Sequence, residues 1–429
     1  MRSAPRIAIL NGRLIDPANG IDEITGLYIA EGKVLAIGER PPGFEADQIL
    51  DAGGKILCPG LIDLNAHLRE PGHEHKATIA SETTAAARSG ITTVCCAPDT
   101  DPVIDSPAVI ELIRRRAKQS GKAMVLPIGA LTQGLGGEII SEMAALKEAG
   151  CVAVSNVHRP LKNTLVERRA LEYAATYDVL VFLRPEDLHL RDNGCVHEGP
   201  IATRLGLPGI PSAAECVAVA RDLALAAHTG ARIHFRGIST ATSLRMIRRA
   251  QGDGLPVSAD VPAHQLHLTE QDVDQFNSQC HVTPPLRTLQ DREALREGVA
   301  TGIISAICSD HQPHEPDAKL LPFPSTAPGI SALETLLPLT LKLVEDGVLS
   351  LSTAIARVTA GPAAILGIEA GRLGIGDRAD ICIFDPDHAW TFTEEGMLSA
   401  GRNTPFLGWH FNGLVTHTLF EGRIVYQNP

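Results

Sequence analysis

Aromatic side chains are scarce: two Trp, four Tyr and ten Phe make up 4% of 429 residues. A core of any size must therefore be built from aliphatic side chains and alanine, within a hydrophobic fraction of 44%. No uninterrupted apolar run reaches the roughly 20 residues that a bilayer-spanning helix needs. Basic runs are missing too, and the formal net charge is −12, which argues against nucleic acid and anionic membranes as partners. The nine cysteines show neither C-x-x-C nor zinc-ribbon spacing, and Cys95, Cys96, Cys151 and Cys308 lie in apolar, strand-like runs. They read as small buried hydrophobes of a reducing, cytoplasmic setting. A signal peptide is not expected, because Met1-Arg2-Ser3-Ala4-Pro5-Arg6 leads into a short strand and not into a long apolar segment.

A chain of this length fits one large barrel plus an accessory domain. Residues 1–55 read as short strands with turns, among them Ile7-Ala8-Ile9-Leu10, Arg13-Leu14-Ile15 and Lys33-Val34-Leu35-Ala36-Ile37. Asn11-Gly12 and Glu31-Gly32 are hairpin-type dipeptides. From Gly60 the pattern becomes apolar strand, loop, amphipathic helix, repeated. Strands are expected at 60–65, 92–97, 123–128, 152–155, 179–183, 233–238, 257–261 and 303–308. Ser106-Pro107 and Ser212-Ala213-Ala214-Glu215 read as helix starts, the latter as a capping box. Gly90, Gly121, Gly150 and Gly230 read as helix ends. Eight such units with apolar, non-alternating strands predict a parallel sheet closed into a (β/α)8 barrel over 56–369. A helix over 330–346 and a shorter one from Ser352 follow. Strand character returns in Asp380-Ile381-Cys382-Ile383-Phe384 and Arg423-Ile424-Val425-Tyr426, so 1–55 and 370–429 are expected to form one composite β-domain.

In such a barrel, chemistry belongs at the carboxyl ends of the strands. The first of these carries Asp63-Leu64-Asn65-Ala66-His67-Leu68-Arg69-Glu70-Pro71-Gly72. Further along come Pro98-Asp99-Thr100-Asp101-Pro102, His197-Glu198-Gly199, Ile238-Ser239-Thr240, Pro284-Pro285-Leu286-Arg287 and Ser309-Asp310-His311-Gln312-Pro313-His314. Together, over about 50–385, these resemble the dihydroorotases of the cyclic amidohydrolase superfamily, whose first signature reads Asp-x-His-x-His-Leu-Arg-x-Pro-Gly. The resemblance implies an amidohydrolase barrel of that kind, acting in pyrimidine biosynthesis.

It also implies six metal-ligand positions, which fall here on Asn65, His67, Asn156, Arg184, Gly237 and Asp310. Only His67 and Asp310 keep side chains of the family's type. Neutral amides are poor zinc donors, glycine offers no side chain, and a guanidinium is a permanent cation without a lone pair. No cofactor is expected. Arg184 is expected to take the place of the metal and to pair with Asp310 or Glu186. Asp310, the family's proton shuttle, would be vestigial. Arg69 and His314 fall on positions that hold the substrate carboxylate. The asparagine that accompanies them falls on Asp99, which would repel it, and Thr283 also stands where the family usually has asparagine. Arg69 could otherwise brace its loop through Glu70 or Glu74. His197, His234, His264 and His267 read as hydrogen-bonded structural residues, and His73 and His75 as parts of a solvated loop.

With that set dismantled, the chain resembles the non-catalytic dihydroorotase-like subclass that some bacteria keep as structural partner of aspartate transcarbamoylase. A large hetero-oligomer with that chain, and a homodimer of this one, are the partners implied. The alternative is an active zinc dihydroorotase or related cyclic amidohydrolase, converting dihydroorotate to N-carbamoyl-aspartate at an altered or mononuclear site.

Overall fold

Two eight-stranded sheets organise the computed structural model, which describes residues 4–161 and 163–428. The first three residues of the leading segment read above, and the last residue of the expected β-domain, lie outside that range. The barrel strands are β1 (Leu61–Ala66), β2 (Ile91–Cys96), β3 (Met124–Ala130), β4 (Ala153–Ser155), β5 (Val181–Leu183), β6 (Ile233–Phe235), β7 (Val257–Pro262) and β8 (Ala306–Cys308). They pair in chain order, all parallel. Each falls within a few residues of its expected place. Both faces of these strands are buried, so their apolar side chains run on without alternation.

Between β8 and β1 the barrel is closed by a short bridge. His67 N donates to His311 O at 2.9 Å and His311 N to Asn65 O at 3.1 Å. The Asp63 carboxylate accepts from the backbone N–H of Ser309 at 2.8 Å and from its hydroxyl. Ile62, Leu64, Cys95, Ile128, Phe182 and Cys308 fill the interior, making it a packed core and not a pore.

Helices α1 (Ile79–Arg88), α2 (Pro107–Ser120), α3 (Met143–Ala149), α4 (Thr164–Thr176), α5 (Ser212–Thr229), α6 (Ala241–Gly252) and α7 (Leu289–Thr301) lie between the strands. Gly90, Gly121, Gly150 and Gly230 end helices with positive φ, as expected. At Gly90 space is decisive as well, because a Cβ would sit 2.3 Å from Cys382 Sγ of the neighbouring sheet. Among the described residues every cysteine is a free thiol, and only Cys216 is other than buried.

The second sheet joins both ends of the chain. Its order is Arg423–Gln427, His410–Phe420, Ile381–Thr391, Ile56–Pro59, Ile7–Asp16, Ile21–Ala30 and Lys33–Ile37, with Gln48–Asp51 also on Ile7–Asp16. Because Ile56–Pro59 pairs here, this sheet reaches past residue 55.

Three local expectations are corrected. Asn11-Gly12 makes no hairpin: Ile7–Asp16 is one continuous strand, bulged where Asn11 takes φ 64°. The helix expected over 330–346 is confined to Leu336–Glu345, because Ile330 and Ala332 are spent on His311. Ser212 caps nothing, since Pro211 precedes the first turn and Glu215 turns away to another unit.

Glu167 of α4 and Asp222 of α5 meet in a buried acidic pair, with Arg221 3.0 Å from Glu167 and 2.8 Å from Asp222. Burial, reinforced by Asp222, pushes the Glu167 carboxyl up to about 9. A raised carboxyl binds its proton more tightly folded than unfolded. Its contribution is therefore fully present below the unfolded value near 4.3 and fades as pH rises toward 9. Glu167→Gln should flatten that loss, seen in denaturant midpoints measured from pH 5 to 9. A variant whose midpoint declines as steeply as the parent's would refute the assignment of that loss to Glu167.

Candidate functional site

The carboxyl ends of the barrel strands converge on one mouth. One tight void there is lined by Asn65, His158, Arg184, Arg236, Gly237 and Asp310, with Val157, Thr283 and Pro284 completing the wall. Four of the six expected metal positions thus share one space. Asn65 Nδ2 donates to Asp310 Oδ1 across it. The second oxygen of Asp310 accepts from Gln312 Nε2 at 3.2 Å. Burial pushes the Asp310 carboxyl up to about 7, against the lowering charges of Arg236 and Arg184.

The other two positions are not among the residues that line it. Asn156 Oδ1 accepts from the backbone N–H and hydroxyl of Thr132 at 3.0 and 2.9 Å, which leaves its Nδ2 buried without a partner. His67 stacks on His158 at 5.3 Å, and its Nδ1 lies 2.7 Å from Asp99, leaving Nε2 buried and unpartnered. Gly237 sits at φ 65° and donates its N–H to Asp260 Oδ1 at 2.6 Å. Arg184 lies 3.9 Å from Glu186, as expected, and also contacts His158 Nδ1. Its hydrogen-bonding partner is His158 and not Asp310.

Arg69, Asp99 and His314 form a connected group. Arg69 Nη1 is 3.7 Å from Asp99, its Nη2 is 3.5 Å from His314 Nε2, and its Nε donates to Pro313 O at 3.2 Å. Asp99 was expected to stand as a repelling charge. Burial would raise its carboxyl, but His67 and Arg69 together hold it well below the usual range. Nor does Arg69 brace its loop through Glu70 or Glu74. Glu70 takes the first N–H of α1 at 2.8 Å and pairs with Arg116, while Glu74 takes the N–H of Gly72. Burial and the cations Arg69 and Lys76 push His314 down to about 3. Arg69 and Asp99 line an outer cavity of about 160 Å³ with His73, Lys76 and Arg159. Val157 and His158 are walls of both spaces.

Three residues of the mouth were not anticipated: His158, Arg236 and Asp260. Arg236 and Gly237 occupy successive positions after β6, and only the second falls on one of the family's metal-ligand positions. His234 is held by Ser258 and Asp260 at 2.9 and 3.2 Å, His267 by Leu339 O at 2.8 Å, and His197 by Arg287 at 3.1 Å. His264 departs from expectation, since neither ring nitrogen has a partner and burial pushes it down to about 3. The rings of His73 and His75 meet edge-on, 6.2 Å apart, in their loop. Among the described residues no three His, Cys, Asp or Glu side chains are arranged to hold a metal ion.

Residues 54–243 match the family model described as dihydro-orotase-like, and residues 322–426 match that of the amidohydrolase family. Dihydroorotase-like proteins of Pseudomonas aeruginosa and Pseudomonas putida are each 49% identical to this chain, over 98% of it and 99% of theirs. The dihydroorotase of Syntrophotalea carbinolica is 45% identical over the same shares. The chain belongs to the dihydroorotase-like family. In fold it matches the L-hydantoinase (dihydropyrimidinase) of Arthrobacter aurescens with a TM-score of 0.88, at 23% identity, over 99% of this chain and 96% of that one. Of the six positions carried over from the dihydroorotases, His67 and Asp310 alone bear groups that zinc prefers. No described helix is long and apolar enough to cross a membrane.

Proposed function

We propose that this dihydroorotase-like chain does not hydrolyse cyclic amides and serves as a structural partner of aspartate transcarbamoylase in pyrimidine biosynthesis. One observation carries the reading. The zinc implied by the family does not fit the donors present, because Arg184 stands in the same void as Asn65, Gly237 and Asp310. Zinc needs three or four N, S or O ligands, and a fixed guanidinium beside it repels it in a low-dielectric pocket. Of the two side chains of the right type, Asp310 is held by Asn65 and Gln312, and His67 is held by Asp99 through Nδ1, so that Nε2 is its one remaining donor. Such a mouth does not equip the chain to polarise an attacking water or an amide oxygen. The complete barrel and its flanking sheet are kept, which suits a protein whose surface does the work in the cytoplasm.

The second reading, an active zinc dihydroorotase or related cyclic amidohydrolase, draws on the 45% identity to a relative named dihydroorotase. Elemental zinc and dihydroorotate turnover, measured on one preparation, separate the two. Substoichiometric zinc with turnover at background is expected. A shift to a large complex on adding the transcarbamoylase chain, read by light scattering beside the homodimer expected of this chain alone, is the positive arm. Stoichiometric zinc with turnover would end the proposal, and no shift would end the partnership.

A further inference from the structure

The longest described helix, α5, turns an apolar face to solvent. On its outer side Ala213, Val217, Ala220, Ala224 and Ala227 are exposed, Val217 by 48%. Their alternating spacing of four and three residues sets them in one stripe along the axis. Both carboxylates of the helix, Glu215 and Asp222, are buried. A helix that is apolar all round is normally covered on every side. Leu188 and Leu190, exposed on the short helix Leu188–Arg191, lie beside the start of α5, where Asp187 N donates to Ala214 O at 2.8 Å.

The helices packed on either side of α5 are basic, in a chain whose formal net charge is −12. Arg168 and Arg169 are exposed on α4, and Arg245, Arg248 and Arg249 on α6. Glu172 lies 3.3 Å from Arg168 and Asp253 3.9 Å from Arg249, which leaves Arg169, Arg245 and Arg248 without an ion pair among the described residues. Arg221 of α5 itself is paired with Glu167 and Asp222. An apolar stripe is thus bordered on both flanks by cations.

We infer that this face docks an acidic amphipathic helix of another protein. Alanines and one valine let a second helix approach closely, its apolar ridge on the stripe and its Asp and Glu side chains over the two arginine flanks. A second copy of this chain does not suit the face. Any two-fold axis that sets α5 against its own image also sets arginine flank against arginine flank, and like charges so placed cost binding. Nor does a lipid surface suit it, because helices that lie in one carry bulky Trp, Phe or Leu on the apolar side and not alanine. The inference deepens the structural-partner reading by giving the face and the charge of what it meets. It rests on that reading for the presence of a protein partner and not for the partner's name.

The test uses the full-length protein and a fluorescein-labelled helical peptide with leucine and alanine on one face and glutamate on the other, followed by anisotropy. Saturable binding is expected at low salt, weakening as ionic strength rises. Ala220→Glu should weaken it at least about tenfold, and so should Arg245→Glu combined with Arg248→Glu. All three positions are exposed, so the variants are expected to keep the parent's denaturant midpoint. A peptide with lysine in place of glutamate should not bind. No saturable binding, equal binding by parent and variants, or equal binding of the lysine peptide overturns the inference. So does dissociation of a homodimer by Ala220→Glu in sedimentation, which would give the face to a second copy, or tighter binding of anionic vesicles than of the peptide. A missing complex with the transcarbamoylase chain ends the partnership proposed above and not the face, so the two readings fail separately.

Discussion

Zinc is expected to bind the double variant Asn65→His, Arg184→His at least about a hundredfold more tightly than the unaltered chain. Asn65 already touches Asp310, and Arg184 shares their void. Imidazoles at both positions would join His67 and Asp310 in offering three nitrogens and an oxygen, a set that zinc accepts. The same change removes the fixed positive charge that opposes the ion. Even outer partners of metal ligands shift affinity by roughly 10–100-fold, so two direct ligands should exceed that range. Gly237 is left alone for a reason of backbone, not space. A Cβ there would lie 3.6 Å from the nearest atom, but φ 65° costs a residue with a side chain about 1–2 kcal/mol. Affinity should rise with pH through the neutral range, because Asp310, pushed up to about 7, must lose its proton to bind. Arg184 lowers that value, so its removal moves the window upward. Competition with a chromophoric chelator reads both effects. Equal zinc affinity in parent and variant would show that the residues at 65 and 184 are not what stands against the metal.

The barrel was legible because strands buried on both faces are written as unbroken apolar runs, and because Gly90, Gly121, Gly150 and Gly230 mark helix ends with positive φ. The positions of the candidate site were legible for a related reason: they fall at the ends of those runs. What their side chains touch was not. Asp99, read alone, is a charge that would repel an anion; folded, it is matched by His67, 32 positions earlier, and by Arg69. No spacing rule reaches that far. Arg236 was passed over because the motif drew attention to its neighbour Gly237, although both line the same void. Asn11-Gly12 shows a local limit, since a dipeptide that favours positive φ serves a bulge as well as a hairpin.

Glu215 turns that limit into the second large effect. Its sequence context spells a capping box, yet the carboxylate leaves its own helix and accepts from the backbone N–H groups of Ser239 and Thr240 at 3.1 and 3.0 Å. It takes both hydroxyls as well, and so ties the start of α5 to the start of α6. Buried Arg287 shares the cluster, donating to the Ser239 hydroxyl at 3.1 Å and to Ile210 O at 2.9 Å. Glu215→Ala would strand three buried donors, since the Thr240 hydroxyl can turn to Ser243, and leave the Arg287 charge without its nearby carboxylate. A loss of about 3–5 kcal/mol is expected, read as a lower denaturant midpoint. Glu215→Gln should cost less, because its amide keeps one acceptor oxygen. Adding Arg287→Met to the alanine variant should restore part of the loss, since an apolar side chain in that cavity carries no charge to desolvate. Strict additivity of the two changes would mean that the residues do not act as a pair, and would count against the cluster as the joint between these two barrel units.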